Sequence, residues 1–209
     1  MDTLIYIILI CIAIPLALSI VFFDKKARRI IAFIILGTFI CTLSSQINGF
    51  LKSLLTLDNY YITTNITPIT EEVLKALPVL LFSYAVSDDK KTLLSISMAI
   101  GIGFAIIENI LIFIQSGVSL SLIWAIKRVF GASLMHGICT AAVGFGISFV
   151  RKRKKLFYTG TFALLVLAIV YHSIYNSVIQ SAFSGYGFFI PVLTYLPIVY
   201  NKILKGRKP

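Results

Sequence analysis

Seven long apolar runs alternate with short polar breaks along the chain, and the runs have the length of helices that cross a bilayer. The first covers residues 4–23, with Pro15 as a kink, and Asp24-Lys25-Lys26-Ala27-Arg28-Arg29 stops it. The second, residues 30–51, turns polar at its far end, and a polar connection over 52–65 carries Tyr60 and Tyr61, which suit an interface. Thr67-Pro68 reads as an N-cap and first helical residue, opening a third run that reaches residue 87 and bends at Pro78. The fourth, residues 92–115, carries Ser97, Gly101, Ala105 and Asn109 at steps of four, a small-residue stripe for close backbone approach. Residues 120–150 are too long for one perpendicular span, so 119–129, with Lys127 and Arg128, are expected in the interface and the fifth span near Phe130. Gly137, Ala141, Ala142 and Gly146 mark a second close-packed stripe. A sixth run covers 156–179, and a seventh covers 188–203 after the turn Ser184-Gly185-Tyr186-Gly187.

Composition supports the same class. Hydrophobic residues make up 58% of the chain, charged residues only 13%, and mean hydropathy is +0.96. The pattern predicts an all-α membrane protein: a polytopic bundle of about seven transmembrane helices in a single domain over residues 1–209, its motif-bearing core about 67–180. The net charge of +11 would suit a nucleic-acid partner, but 15 of the 19 Lys and Arg fall in four clusters that cap apolar runs. Such clusters set topology, so the expected surroundings are a lipid bilayer and no nucleic acid. With seven spans all four clusters share one side, which puts the N-terminus outside and the C-terminus in the cytoplasm. Cys11, Cys41 and Cys139 lie in apolar runs at no ligand-like spacing and read as buried hydrophobes. The first run follows Asp2 rather than a basic segment and reads as a retained anchor, not a signal peptide.

Against this background the few ionisable residues within apolar runs stand out. The chain has three glutamates, Glu71, Glu72 and Glu108, and two histidines, His136 and His172. Lys75 is three and four residues beyond the glutamate pair, within reach of either carboxylate. Glu108 and Asn109 fall about 10 Å below the outer end of the fourth run. His172 and Asn176 are one helical turn apart. Polar groups in hydrocarbon are costly, so this set reads as functional. A carboxylate beside an imidazole can deprotonate water, and an asparagine amide with a second imidazole can donate to an oxyanion. The candidate catalytic residues are therefore Glu71, Glu72, Glu108, His136, His172 and Asn176, with Lys75, Asn109 and Arg128 as charge or structural partners. Zn²⁺ could instead be held by His136, His172, Glu72 and Glu108, although no HExxH is present. A cation at Lys75 opposes a divalent neighbour, so the residues alone favour glutamate-based water activation with no required cofactor.

Glu71-Glu72-x-x-Lys75, Phe104-x-x-x-Glu108-Asn109, His136 and His172-x-x-x-Asn176 together resemble the ordered motifs of the PrsW family of intramembrane proteases. That family is similar in turn to the CAAX prenyl endopeptidases and bacteriocin-immunity-type membrane proteases, with their EExxxR, FxxxH and HxxxN. Here Lys75 comes one residue earlier than the arginine, and Glu108 stands where the second motif has histidine. The resemblance implies a multi-pass endopeptidase of the bacterial plasma membrane, with a membrane-anchored protein substrate. It further implies site-1 cleavage of a single-span anti-sigma factor, and a grouping with zinc-dependent peptidases. Two other classes compete: a non-catalytic membrane scaffold, which a complete set of ionisable residues disfavours, and an ion- or proton-coupled transporter. A transporter would carry its ionisable groups at the midplane between internal repeats, and no repeat is visible here.

The topology is testable by cysteine labelling in a background lacking the three native cysteines. Asn59→Cys should react with an impermeant reagent from outside, and Lys154→Cys only after permeabilisation. Labelling of both from the same side would overturn the alternation.

Overall fold

A computed structural model describes residues 2–116, 121–149 and 157–206, and among these the chain is helical throughout, without strands. Seven helices stand where seven apolar runs were expected: α1 (Asp2–Ser19), α2 (Lys25–Leu55), α3 (Thr67–Ala85), α4 (Lys90–Ser116), α5 (Leu122–Ile147), α6 (Ala163–Ile179) and α7 (Phe189–Gly206). Five stretches are long and apolar enough to cross a membrane: Leu4–Phe22, Lys25–Leu55, Lys90–Gln115, Leu122–Ile147 and Gly160–Ile179. The other two helices fall short for different reasons. Helix α3 carries Glu71, Glu72 and Lys75 in 19 residues, and the apolar stretch Ser184–Tyr200, which runs from the preceding turn into α7, is short of the roughly 20 residues a perpendicular crossing needs. The chain is a multi-pass helical membrane protein.

Local chemistry sets the helix starts. Asp24 caps α2 by accepting from the Ala27 amide at 2.7 Å, and Asp89 caps α4 by accepting from the Thr92 amide at 2.8 Å. That backbone donor holds the exposed Asp89 carboxyl below the ordinary carboxylate value.

Three expectations from the sequence are corrected. Thr67 does not cap α3, because the backbone is already helical there and runs in from a wide π-helical stretch, Ile62–Ile66. The true cap is further upstream, where Asp58 accepts from the Tyr61 amide at 2.8 Å. The polar connection over 52–65 is correspondingly mostly helical: α2 extends to Leu55, and Thr56 turns the chain in the left-handed region at φ 48°. Finally, residues 122–129 do not form a separate interfacial segment before a span at Phe130. They are the first turns of one continuous helix, α5, because no glycine or proline breaks Leu122–Val129. The basic cluster at 151–155 lies outside the described residues.

Helix α4 is the centre of the bundle, with Ile96, Ile100, Phe104 and Ile107 all at most 1% exposed. Its small residues permit backbone contact on two sides. A Cβ placed on Gly103 would sit 2.0 Å from the carbonyl oxygen of Ile34 on α2, and one on Gly101 would sit 2.5 Å from that of His136 on α5. The stripe read at Ser97, Gly101, Ala105 and Asn109 is buried along its whole length. Gly101 thereby places His136 directly against α4. Helices α3 and α6 close the other side, with Val79, Ala168 and Tyr175 completing the core, while α1 lies at the edge with Ile7, Ile10, Ile14 and Leu18 exposed to lipid.

Substitution of the contact glycines should therefore cost far more than helix propensity predicts. Gly103→Ala is expected to destabilise the protein in detergent by about 1–3 kcal/mol through overpacking. Gly49→Ala, within α2 but with open space around its Cβ, should be neutral or slightly stabilising. Thermal unfolding of the two variants side by side checks the contrast.

Candidate active site

Four helices deliver ionisable side chains to one buried layer. Helix α3 contributes Glu71, Glu72 and Lys75, α4 contributes Glu108, α5 contributes Arg128 and His136, and α6 contributes His172. Lys75, His136 and His172 are fully buried. Lys75 Nζ donates to Glu72 Oε1 at 2.6 Å and lies 2.9 Å from His136 Nδ1. It also sits 4.4 Å from the centroid of the Phe104 ring, a cation–π contact that helps hold a buried ammonium. Glu72 Oε1 lies 2.9 Å from His172 Nδ1. Glu108 Oε2 accepts from Arg128 Nη2 at 2.9 Å and is 3.0 Å from His136 Nε2. The two imidazoles meet edge to face, their centroids 4.9 Å apart.

These partners define the tautomers. An ammonium only donates, so His136 Nδ1 is the acceptor and its proton is on Nε2, facing Glu108. His172 donates from Nδ1 to the Glu72 carboxylate, which leaves the lone pair on Nε2. That atom has no hydrogen-bond partner among the described residues, and neither does Glu71 Oε2, 3.8 Å away. Both atoms are buried. With neutral imidazoles the layer holds three carboxylates against two cations, a surplus of one negative charge. Glu72 and Glu108 are each paired to a cation, so the surplus falls on Glu71. A buried carboxylate facing an imidazole lone pair calls for a cation or a proton between them.

Glu71, His136 and His172 each offer a ligand atom, and the three atoms lie within 4.8 Å of one another. One oxygen and two nitrogens match the three protein ligands of a catalytic zinc site. The carboxylate behind His172, Glu72, is the kind of group that orients a metal-bound imidazole. The donor set therefore fits a divalent ion. It differs from the set read in the sequence, which had Glu72 and Glu108 in place of Glu71. Glu72 gives its Oε1 to Lys75 and His172, and Glu108 gives its Oε2 to Arg128 and His136.

Asn176 also differs from its expected place beside the oxyanion. Its Nδ2 donates to the Thr63 carbonyl at 2.9 Å, within the π-helical turn that leads into α3. Gln180, one turn on, reaches the Thr63 hydroxyl at 2.9 Å. Wide turns of this kind gather at functional sites, and the run Ile62-Thr63-Thr64-Asn65-Ile66 gave no sign of one, because its polar residues read equally as a loop. Asn109 is buried, and its Oδ1 has no partner among the described residues. Arg128 proves to be a partner of Glu108 rather than an interfacial anchor.

A polytopic helical bundle with a buried glutamate–histidine layer is an arrangement that suits an intramembrane hydrolase. A family model described as PrsW family intramembrane metalloprotease matches residues 25–201. The chain belongs to that family and is an intramembrane peptidase, whose substrate is a protein embedded in the bilayer. No curated protein and no solved structure matches it.

Lys75 is the cation on which this layer depends. Removing one partner of a buried pair costs about 3–5 kcal/mol, so Lys75→Met should lower the thermal stability of purified protein sharply. In Lys75→Met/Glu72→Gln the stranded charge is gone, and the loss should be smaller than the sum of the single losses. Strict additivity would show that the contact is not an energetic pair.

Proposed function

We propose that this protein hydrolyses a peptide bond in a membrane-anchored substrate by means of a divalent metal ion, zinc by the nature of its ligands, held by Glu71, His136 and His172. The facing unpartnered atoms, Glu71 Oε2 and His172 Nε2, carry this reading. They reverse the preference that composition and Lys75 suggested for a metal-free glutamate site: Lys75 is neutralised by Glu72 at 2.6 Å, and the surplus negative charge remains for the ion. The chemistry such an ion supplies when bound is polarisation of the scissile carbonyl and easier deprotonation of water.

The chain's own groups divide the remaining work. Glu72 is anchored through Oε1 and keeps an unpartnered Oε2, which accepts the proton from the attacking water and later returns it to the leaving amine. Its bond to His172 fixes that ring's tautomer. Glu108 and Arg128 hold His136 from its far side, and engagement of His136 exchanges one of its two present partners. Asn176 positions the turn that brings Glu71 and Glu72 into the layer.

We read this site as lying in the outer half of a bacterial plasma membrane; the support is the positive-inside rule, with Lys25 to Arg29 and Lys90-Lys91 at the opposite end of α2 and α4. A single-span anti-sigma factor, cut on its outer side in response to envelope stress, is the substrate the family resemblance favours.

Purified protein reconstituted with a single-span substrate tests the metal reading. One zinc per chain and cleavage that is lost on chelation and restored by zinc are expected. Glu71→Gln should lose both the metal and activity, whereas Glu72→Gln should retain metal and lose cleavage by at least about 100-fold. Full activity in metal-free protein would overturn the proposal and return the site to glutamate-based water activation.

A further inference from the structure

A cavity of about 560 Å³ opens beside the buried layer and is bordered by Thr63, Glu108, Trp124, Lys127, Arg128 and Asn176, with the connection after α6 along its rim. A space of this size is ample for a ligand or a short stretch of chain. Its charge is uneven. Lys127 and Arg128 line it against the single carboxylate of Glu108, and that carboxylate already serves Arg128 and His136 through Oε2. The Arg128 side chain is only 9% exposed, and its Nη2 is held by Glu108, so it adds fixed positive charge to the cavity wall. Lys127, two turns into α5, is exposed at the end of the bundle remote from Lys25 to Arg29 and Lys90-Lys91. A lysine there does not serve topology.

We infer that this cavity receives the substrate segment flanking the scissile bond and selects an acidic side chain in it, with Lys127 as the specificity-determining residue and Arg128 as a second, fixed positive charge. The inference rests on the protease reading and names its substrate class: membrane-anchored proteins with an aspartate or glutamate close to the cut. Opposite charge across such a contact gives selectivity by attraction, and a lysine in the same place is rejected by repulsion from two cations.

Three single-span reporter substrates test it, identical except for Asp, Asn or Lys at one position next to the cut, which is mapped first on the Asn form by mass spectrometry. Cleavage is measured in proteoliposomes, and binding of the matching peptides is measured separately on the inactive Glu72→Gln protein. The wild type should favour Asp over Lys by about five- to tenfold in kcat/KM and in affinity, and Lys127→Glu should invert that order in both readouts. Equal treatment of all three, or an order unchanged in Lys127→Glu, overturns the inference while leaving the protease reading intact. Charge-ranked binding without cleavage of any substrate by the wild type supports the cavity's selectivity and overturns the protease reading instead.

Discussion

The contact between Lys75 and Glu72 is the one on which the rest of the site depends. An ammonium and a carboxylate 2.6 Å apart, both sealed from solvent, hold each other's charge in surroundings that would otherwise expel them. Each is also bonded onward, Lys75 to His136 and Glu72 to His172. The pair therefore determines which nitrogen of each ring keeps its proton, and so which lone pair is left for chemistry. Glu71 is the residue this arrangement leaves unmatched, its Oε2 facing the unpartnered Nε2 of His172 at 3.8 Å.

The physical logic extends to the fold. Helix α3 carries both halves of that ion pair within an otherwise largely apolar sequence. It is kept in place by buried apolar residues such as Val79 and by hydrogen bonds at its entry, where Thr70 donates to Asn48 at 2.6 Å and Asn176 to Thr63. A charge-bearing helix in a bundle of this kind is stable only when its neighbours turn polar atoms towards it at the right depth.

Much of this was legible in the sequence, and for identifiable reasons. Apolar run length and basic clusters reveal helices and their number, because the bilayer imposes both. The rarity of glutamate and histidine revealed the residues of the layer, since in a chain so apolar each ionisable group must have a purpose. What escaped was register and partnership. Whether Glu71 or Glu72 meets Lys75 turns on a rotation of about 100° per residue, and the π-helical turn at Ile62–Ile66, invisible in composition, sets that rotation. The start of α5 was misplaced because Lys127 and Arg128 look alike in a sequence, although Arg128 faces Glu108 within the bundle and Lys127 faces out.

The backbone contacts of Gly101 and Gly103 have a mechanical consequence. They press α4 against α5 and α2 with no side chain between, so these helices form a stiff frame that carries Glu108 and His136. On the other side α6 is tied to α3 by the Glu72–His172 bond and to the turn before α3 by the Asn176 amide on the Thr63 carbonyl. The ionisable layer is thus a seam between two differently joined halves: Glu108 and His136 stand on helices packed backbone to backbone, Glu71, Glu72 and His172 on helices linked by side-chain bonds, and Lys75 bridges the two through His136.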